Sequence, residues 1–465
     1  MASVFDPLRL GSVGLDVLSA ARQRPQDIAA RQTLRLSQLL EAVASGSPMY
    51  RQILHGTTPA STVLRDLPVV TKSELMHRFS DWVTDPQLEL DDLRRFTADP
   101  ERIGEPYLQK YVVWESSGTS GQPGIFVQDA RAMAVYDALE ALRRSSPRPW
   151  LRMMDPLFLT ERMAFIGAIT GHFASQVSVQ RLRRLQPWMA SGLRSFSILQ
   201  PVADLVAQLN RFAPTIVATY PTVAVLLADE AQRGALTIAP GEIWTGGETL
   251  TASMRNRVQQ AFDCSVRNNY GASEFLSLGW ECSHGGMHAN TDWLILEPVD
   301  AQGQPVAAGE PSHTTLLTNL ANRVQPLIRY DLGDQISIRT EPCACGSPLP
   351  VIDVQGRQDD ALVMTGRDGR PVTLLPLALT TVLEDEAGVF DFQLRQCDAA
   401  TLALRLGPEG PETASASAFA RCQTALQAFA QRQGLGWVQV IQETGRPVPR
   451  GRSGKVQRVT ARSSP

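Results

Sequence analysis

The chain has 465 residues, 44 of them basic against 47 acidic, for a formal net charge of −3. Hydrophobic residues make up 43% and charged residues 20%, the make-up of a globular rather than a disordered protein. That balance offers no field to hold nucleic acid or an anionic membrane, and no run reaches the ~18 uninterrupted apolar residues of a membrane span.

The first hundred residues read as mostly helical, with apolar residues at three- and four-residue steps from Asp27 to Val43 and a helix start near Leu67–Glu74. Asp6 and Asp16 lie in a leading stretch with no basic segment before an apolar one, so no secretory signal is read there and a cytoplasmic location is expected. Tyr111 to Trp114 reads as a short buried strand running into Ser116-Ser117-Gly118-Thr119-Ser120-Gly121-Gln122-Pro123-Gly124, with a helix from Asp129 to Arg144 beyond. Thr215–Tyr220 and Glu242–Thr245 are further strands, followed by helices Thr222–Gln232 and Ala252–Phe262. Alternation of strands and helices predicts an α/β fold with partly parallel sheets.

From Asp292 the texture changes. Trp293–Leu296, Thr314–Thr318, Leu327–Tyr330 and Gln335–Arg339 read as strands of a β-rich subdomain. The charged break Gly356–Asp360 then leads to a small α+β unit, in which Leu406–Ala416 reads as a solvated loop. The expected division is an N-terminal domain over 1–356, a hinge at 357–360 and a mobile C-terminal domain over 361–465.

Four segments could carry chemistry. Glycines in 116–124 let backbone amides approach a ligand, and the Ser and Thr hydroxyls can donate to phosphate oxygens. Taken alone, such a segment is more often an ordinary turn, and it lacks the Gly-Lys-Ser/Thr ending of a Walker loop. In Asn268–Glu274 a Tyr can stack on a base and a carboxylate four residues on could hold Mg²⁺. Arg329–Asp334 ends a strand in an acidic turn whose Asp334 could accept two ribose hydroxyls. Arg450–Val456 puts Lys455 on a glycine-rich loop. The chain has 41 Arg and only 3 Lys (Lys72, Lys110 and Lys455), so where any cation would serve it uses Arg, and a lysine kept in such a loop stands out.

The six cysteines, Cys264, Cys282, Cys343, Cys345, Cys397 and Cys422, are too sparse for a disulfide framework. Cys343 and Cys345 with Cys282 and His288 have the chemistry of a tetrahedral zinc site; His284 is a competing ligand, and buried free thiols are the alternative.

Taken in order, SSGTSGQPG, GGE (Gly246–Glu248), YGASE, RYDLGD, GRQDD and GRSGKVQR resemble the adenylate-forming superfamily of acyl- and aryl-CoA ligases. TNLANRVQPLIRYDLGD and CACGSPLP look like its phenylacetate–CoA ligase branch, and the resemblance runs from Leu67 to Val459. It implies ATP- and Mg²⁺-dependent activation of a carboxylic acid as an acyl-adenylate. Transfer to CoA or to the phosphopantetheine of an acyl carrier protein would follow.

By this resemblance Ser116, Ser117, Gly118, Thr119 and Ser120 would hold the β- and γ-phosphates. Gly247 and Glu248 would border the adenine, with Asn269, Tyr270 and Gly271 beside it and the Tyr270 ring stacked on it. Glu274 would bind Mg²⁺, Asp334 the ribose, and Arg357 would lie near the ribose or phosphate. Lys455 would bridge carboxylate and α-phosphate in the transition state, and some members of the branch carry zinc at the Cys/His pattern. Tyr136, Phe165, Tyr220 and Trp244 are expected pocket walls for an aromatic or medium acyl group. Two departures stand out: Gln122 replaces a usual loop lysine, and Val363–Arg370 departs from the stretch that accompanies the CoA-dependent step. An amine acceptor and a non-catalytic nucleotide-binding protein are the alternatives, with a monomer or homodimer expected.

Overall fold

The computed structural model describes residues 4–58, 62–116, 123–143, 155, 159–355, 361–389, 392–407, 412–436, 438–443 and 457–461. β1 (Val112–Glu115) and β2 (Ile125–Gln128) form an antiparallel pair that sets Trp114 opposite Phe126. Next come β3 (Met163–Gly167), β4 (Leu193–Ser197), β5 (Ile216–Thr219), β6 (Glu242–Gly246), β7 (Ser265–Ala272), β8 (Phe275–Glu281) and β9 (Met287–Ala289). They build one seven-stranded sheet in the order β4-β3-β5-β6-β7-β8-β9, parallel through β7 and antiparallel beyond it.

The parallel strands are short apolar runs joined by helices, as sheets buried on both faces require. Helices Pro221–Gln232 and Ala252–Phe262 sit where the apolar periodicity puts them. Thr251 caps the second by accepting from the Met254 N–H at 3.2 Å, and Asp263 ends it in the left-handed region at φ 47°. β3, β4 and the helices Ala174–Leu185 and Val202–Phe212 complete the layer and have no counterpart in the sequence reading.

The β-rich part holds β10 (Leu294–Val299), β11 (Thr314–Asn319) and β12 (Tyr330–Asp331) in one sheet, and β13 (Gln335–Ile338) with β14 (Ile352–Gln355) in another. The strand expected over Leu327–Tyr330 shrinks to Tyr330–Asp331. Leu327 and Ile328 are buried, but Arg329 stands at φ 52°, a conformation that no strand can run through.

The C-terminal part is α+β, as expected. β15 (Leu362–Thr365) and β16 (Pro371–Leu374) form a hairpin. β17 (Phe392–Gln396), β18 (Thr401–Leu406), β19 (Gln439–Gln442) and β20 (Val459–Thr460) make a sheet in the order β19-β18-β17-β20. The loop expected through Ala416 is shorter, because a helix spans Glu412–Arg432; Ala414 and Ala416 favour helix once the Gly/Pro stretch has ended. The expected hinge, 357–360, lies outside the described residues.

The N-terminal helices are bound to the body rather than appended to it. Trp82 Nε1 donates to the Pro326 carbonyl at 2.6 Å, and the Val70 N–H donates to Arg329 O at 3.1 Å while Asp331 N–H returns to Val70 O at 3.0 Å. A buried ion pair, Arg143–Asp292 at 2.6 Å and 3% and 0% exposed, fixes the helix Ala130–Arg143 against the start of the β-rich part. One apolar core joins these helices to β1 and β2, and a second lies under β3–β6 and takes in the apolar residues of the C-terminal unit. Among the described residues no helix is long and apolar enough to cross a membrane.

Candidate active site and Cys/His cluster

β1 delivers Ser116 to the start of the Ser/Gly segment, and β2 receives the chain after Gly124. The neck of that loop is closed twice: the Ser116 N–H donates to Gly124 O at 2.8 Å and the Gly124 N–H to Ser116 Oγ at 3.0 Å. Ser117, Gly118, Thr119 and Ser120, expected to hold phosphates, lie outside the described residues, as do Arg357 and Lys455.

The loop neck is clamped to the turn after β7. Trp114 Nε1 donates to the Ser273 carbonyl at 2.8 Å, and Ser273 Oγ donates to Glu115 O at 3.5 Å. That turn carries Glu274, so the expected phosphate loop and the expected Mg²⁺ ligand are neighbours through main-chain contacts. Gly271 is required here, because a Cβ on it would lie 2.1 Å from Leu276 O across the β7–β8 bulge.

Two tyrosines hold the acidic groups. Tyr270 Oη donates to Asp334 Oδ2 at 2.8 Å, and Tyr330 Oη donates to Glu274 Oε1 at 2.7 Å. Burial, then the adjacent carboxylates, hold both phenols well above their ordinary value, so both stay protonated donors. Asn319 Nδ2 supports the same turn by donating to Glu274 O at 3.1 Å and to Tyr136 Oη at 3.0 Å. Sequence reasoning assigned neither Tyr330 nor Asn319, although Tyr330 stands inside the RYDLGD motif. The signal was a phenol placed next to an acidic turn.

Glu248, expected beside the adenine, is tied to the start of a helix. It accepts from the Thr222 N–H at 3.0 Å and Thr222 Oγ1 at 3.1 Å, filling the open first turn of helix Pro221–Gln232, whose own cap residue is Tyr220. Gly247 stands at φ 79°, and a Cβ there would meet the Tyr220 ring at 3.2 Å. Asn269 Nδ2 reaches Glu140 Oε1 at 3.4 Å.

Of the expected pocket walls, Phe165 and Trp244 share a sheet face, because the register sets both opposite Ala218 on β5. Tyr220 borders Gly167 and Gly247 beside them, its phenol pushed up to about 12 by burial. Tyr136, also expected as a wall, is 1% exposed and packed edge-on to Phe275 at 5.0 Å, and its hydroxyl accepts from Asn319, so it sits in the apolar core.

A half-open cavity of about 620 Å³ lies beside the loop neck, lined by Glu115, Pro123, Ile125, Thr170 and Phe173 and by Asp385 of the C-terminal unit. Burial, with Glu384 and Glu115 nearby, pushes Asp385 up to about 6.

The Cys/His cluster lies elsewhere, between β8–β9 and the 343–345 turn. Ligand atoms of Cys282, His288, Cys343 and Cys345 all fall within 4.8 Å of one another. Cys345 Sγ is 3.2 Å from His288 Nε2, and His288 Nδ1 is 2.8 Å from Leu349 O, which leaves Nε2 to face the thiols. Burial pushes His288 below its ordinary value, keeping the imidazole neutral, and Trp280 stacks on it at 5.1 Å. A Cβ on Gly286 would crowd Cys343 Sγ at 3.3 Å and Cys282 Sγ at 3.5 Å. The spacing and donor set fit a four-coordinate thiophilic ion. His284 is not part of this group.

No protein-family model matches the chain. Protein CapK of Staphylococcus aureus is 28% identical over 138 residues, which cover 29% of this chain and 29% of that protein. The likeness to solved structures is wider. 2-Hydroxyisobutyryl-CoA ligase, in complex with 2-HIB-AMP and CoA in the thioesterification state, matches with a TM-score of 0.58 and 20% identity over 95% of this chain and 91% of that one. The same ligase in the postadenylation state with 2-HIB-AMP gives 0.50 and 21% identity, over 93% and 89%. The chain therefore shares the fold of 2-hydroxyisobutyryl-CoA ligase.

Proposed function

We propose that this chain uses ATP to activate a carboxylic acid as an acyl-adenylate and then passes the acyl group to a thiol, that of CoA or of a carrier-protein phosphopantetheine. The observation that carries the proposal is the clamp joining the Ser116–Gly124 neck to the Glu274 turn, with Asp334 held beside it by Tyr270. A carboxylate is a weak nucleophile that must approach a polyanion, so catalysis rests on positioning and charge neutralisation rather than on a side-chain nucleophile. Glu274 would hold Mg²⁺ through the oxygen Tyr330 does not occupy; the ion would neutralise the polyphosphate. Asp334 would take the ribose hydroxyls, displacing or sharing the Tyr270 bond, and the loop hydroxyls would receive pyrophosphate as it leaves.

Lys455 would bridge the reacting carboxylate and the α-phosphate. It must then withdraw to admit a thiol, which calls for rotation of residues 361–465 about a pivot in 357–360. The thiol reading takes its support from the solved fold relative, a CoA ligase in complex with 2-HIB-AMP and CoA. Phe165, Tyr220 and Trp244 would wall the acyl group, in keeping with an aromatic or medium acid of the kind used in the phenylacetate–CoA ligase branch. The Cys/His cluster would hold a structural zinc through Cys282, His288, Cys343 and Cys345.

The test is carboxylate-dependent pyrophosphate release over a panel of aromatic and aliphatic acids, followed by addition of CoA, a phosphopantetheinylated carrier or free amines. The expected result is release with at least one acid and acylation of a thiol. Absence of release with every acid sinks the activation step, and acylation of amines alone sinks the thiol step.

A further inference from the structure

The half-open cavity of about 620 Å³ has no part in the chemistry proposed above, and two carboxyls reach it from different units. Glu115 comes from the end of β1 and Asp385 from the C-terminal unit. Glu115 is placed by its main chain. It pairs with Ile125 across the β1–β2 ladder, and its N–H donates to His172 O at 2.8 Å on the other side, which sets it beside Phe173. Asp385 stands on the single π-helical turn Val382–Glu386, a kind of turn that recurs at functional sites.

The charges around these two acids are already spent on other partners. Glu384 forms a buried pair with Arg458, and Glu386 pairs with Arg432 at 2.8 Å. Arg94, in the cavity wall, pairs with Asp91 at 3.0 Å. Among the described residues no cation pairs with Glu115 or Asp385, and each has a threonine hydroxyl as neighbour, Thr97 and Thr170. Burial holds both carboxyls above their ordinary values, and Asp385 is raised further by Glu384, Glu115 and Glu386. The cavity therefore holds two neighbouring acids that lack a counter-ion. Much of the remaining wall is apolar: Ile125, Phe173, Leu199 and Val382.

This lining selects its ligand by charge. A carboxylic acid, ATP and CoA are anions and would meet like charge there. A hard divalent metal ion takes six or more oxygens, and among the described residues no third carboxylate or imidazole joins these two at ligand spacing. An ammonium fits, because it is compact, donates to both carboxylates and can lie against the Phe173 ring. An apolar body behind it would cover Ile125, Leu199 and Val382. We propose that this cavity binds a primary ammonium compound with an apolar body, its charge shared between Glu115 and Asp385. Since the two acids belong to different units, the bound cation would tie the C-terminal unit to the body. Binding there needs no nucleotide, so the site stands or falls apart from the activity proposed above.

The experiment is calorimetric titration of the full chain with phenethylamine and hexylamine, with phenethyl alcohol and hexanol as neutral controls. At least one amine should bind, and its alcohol should bind roughly tenfold more weakly or less, the scale of a lost charge-assisted hydrogen bond. Glu115→Gln and Asp385→Asn keep the shape of each side chain and remove one charge. Each should weaken the amine by about tenfold or more and leave the alcohol unaffected, with a cooperative melting transition showing that the variant is folded. At pH 6 the bound amine should also expel the proton that Asp385 holds. About half a proton per amine should then appear on comparing buffers of different ionisation enthalpy, and none at pH 8, where Asp385 is already ionised. An alcohol that binds as tightly as its amine, full amine affinity in either variant, or no proton release at pH 6 would each overturn the assignment. So would an unmodified chain that binds neither amine.

Discussion

The acidic site and the Cys/His cluster are built on opposite plans. Glu274, Tyr330, Tyr270 and Asp334 come from two separate stretches of chain and are held as two tyrosine–carboxylate pairs, each with acceptor capacity left over. The cluster draws on two tight turns, 282–288 and 343–345, and its four ligand atoms face one another. A closed set of thiols and imidazole can gain stability from an ion but has no open position for a reactant. The acidic site is rigid in its backbone, yet its side-chain partners are hydroxyls that a ligand can replace. The open acidic site suits a ligand that comes and goes, and the closed cluster suits an ion that stays.

The largest test of that contrast is Lys455→Ala. Acyl-adenylate formation should fall by about 100-fold or more, the ~3–4 kcal/mol of a single preorganised donor, while thioester formation from a pre-made acyl-adenylate is spared. Equal loss in both steps would take Lys455 out of the adenylation site.

On the other side, elemental analysis of the unmodified protein should find about one metal per chain, and Cys343→Ser should remove it and lower the melting temperature with it. Adenylation by the surviving folded protein should be unchanged. Loss of activity without loss of metal would break the comparison.

Tyr330→Phe sharpens the account of the acidic site. Glu274 loses its phenol partner, and the expected effect is roughly tenfold weaker Mg²⁺-dependent ATP use, with AMP binding unaffected. Steady-state titration of Mg²⁺ at fixed ATP would read it.

The smallest effect belongs to Asp385→Asn at the inter-unit cavity. The Asp385 carboxyl is pushed from an ordinary 3.8 up to about 6, first by burial and then by Glu384, Glu115 and Glu386, against a bond with Thr170. Its raised value means that the folded chain holds a proton the unfolded chain releases. The stabilisation is therefore present at low pH and is lost as pH rises from about 3.8 through about 6. Asp385→Asn should flatten that slope and raise the melting temperature by roughly 1–2 °C at pH 7.5, with no gain at pH 4. A melting curve as steep in pH as that of the unmodified protein would remove Asp385 as its source.

Much of this was legible from residue order alone. The alternating strands and helices of 215–262 announce themselves because buried parallel strands are short apolar runs and their helices are amphipathic. The Cys/His set was readable because metal ligands have few substitutes. What could not be read was partnership across the fold. Glu248 stands in its motif as an expected ligand residue, and its motif gave no hint that its carboxylate also caps a helix through Thr222. Tyr136 looks like a pocket wall in a helix that follows the loop, yet it points at Phe275 and Asn319. Period and composition carry no information on which of two apolar surroundings a side chain meets. The early end of the strand at Arg329 was equally invisible, since a left-handed arginine is allowed only by what holds it: Glu297 at 3.2 Å and the carbonyls of Arg65 and Leu67 at 2.8 and 2.6 Å.

Those last bonds bear on how chains of this fold could be recombined. The change of texture near residue 110 invites a crossover there, with the helical leader of one protein grafted to the body of another. Arg329, Tyr330 and Asp331 take their backbone support from residues 65–70, so a foreign leader would reset the strand that positions Glu274. A hybrid that kept its parents' activity would have to inherit residues 65–72 and 329–334 as one block, however far apart they stand in the chain.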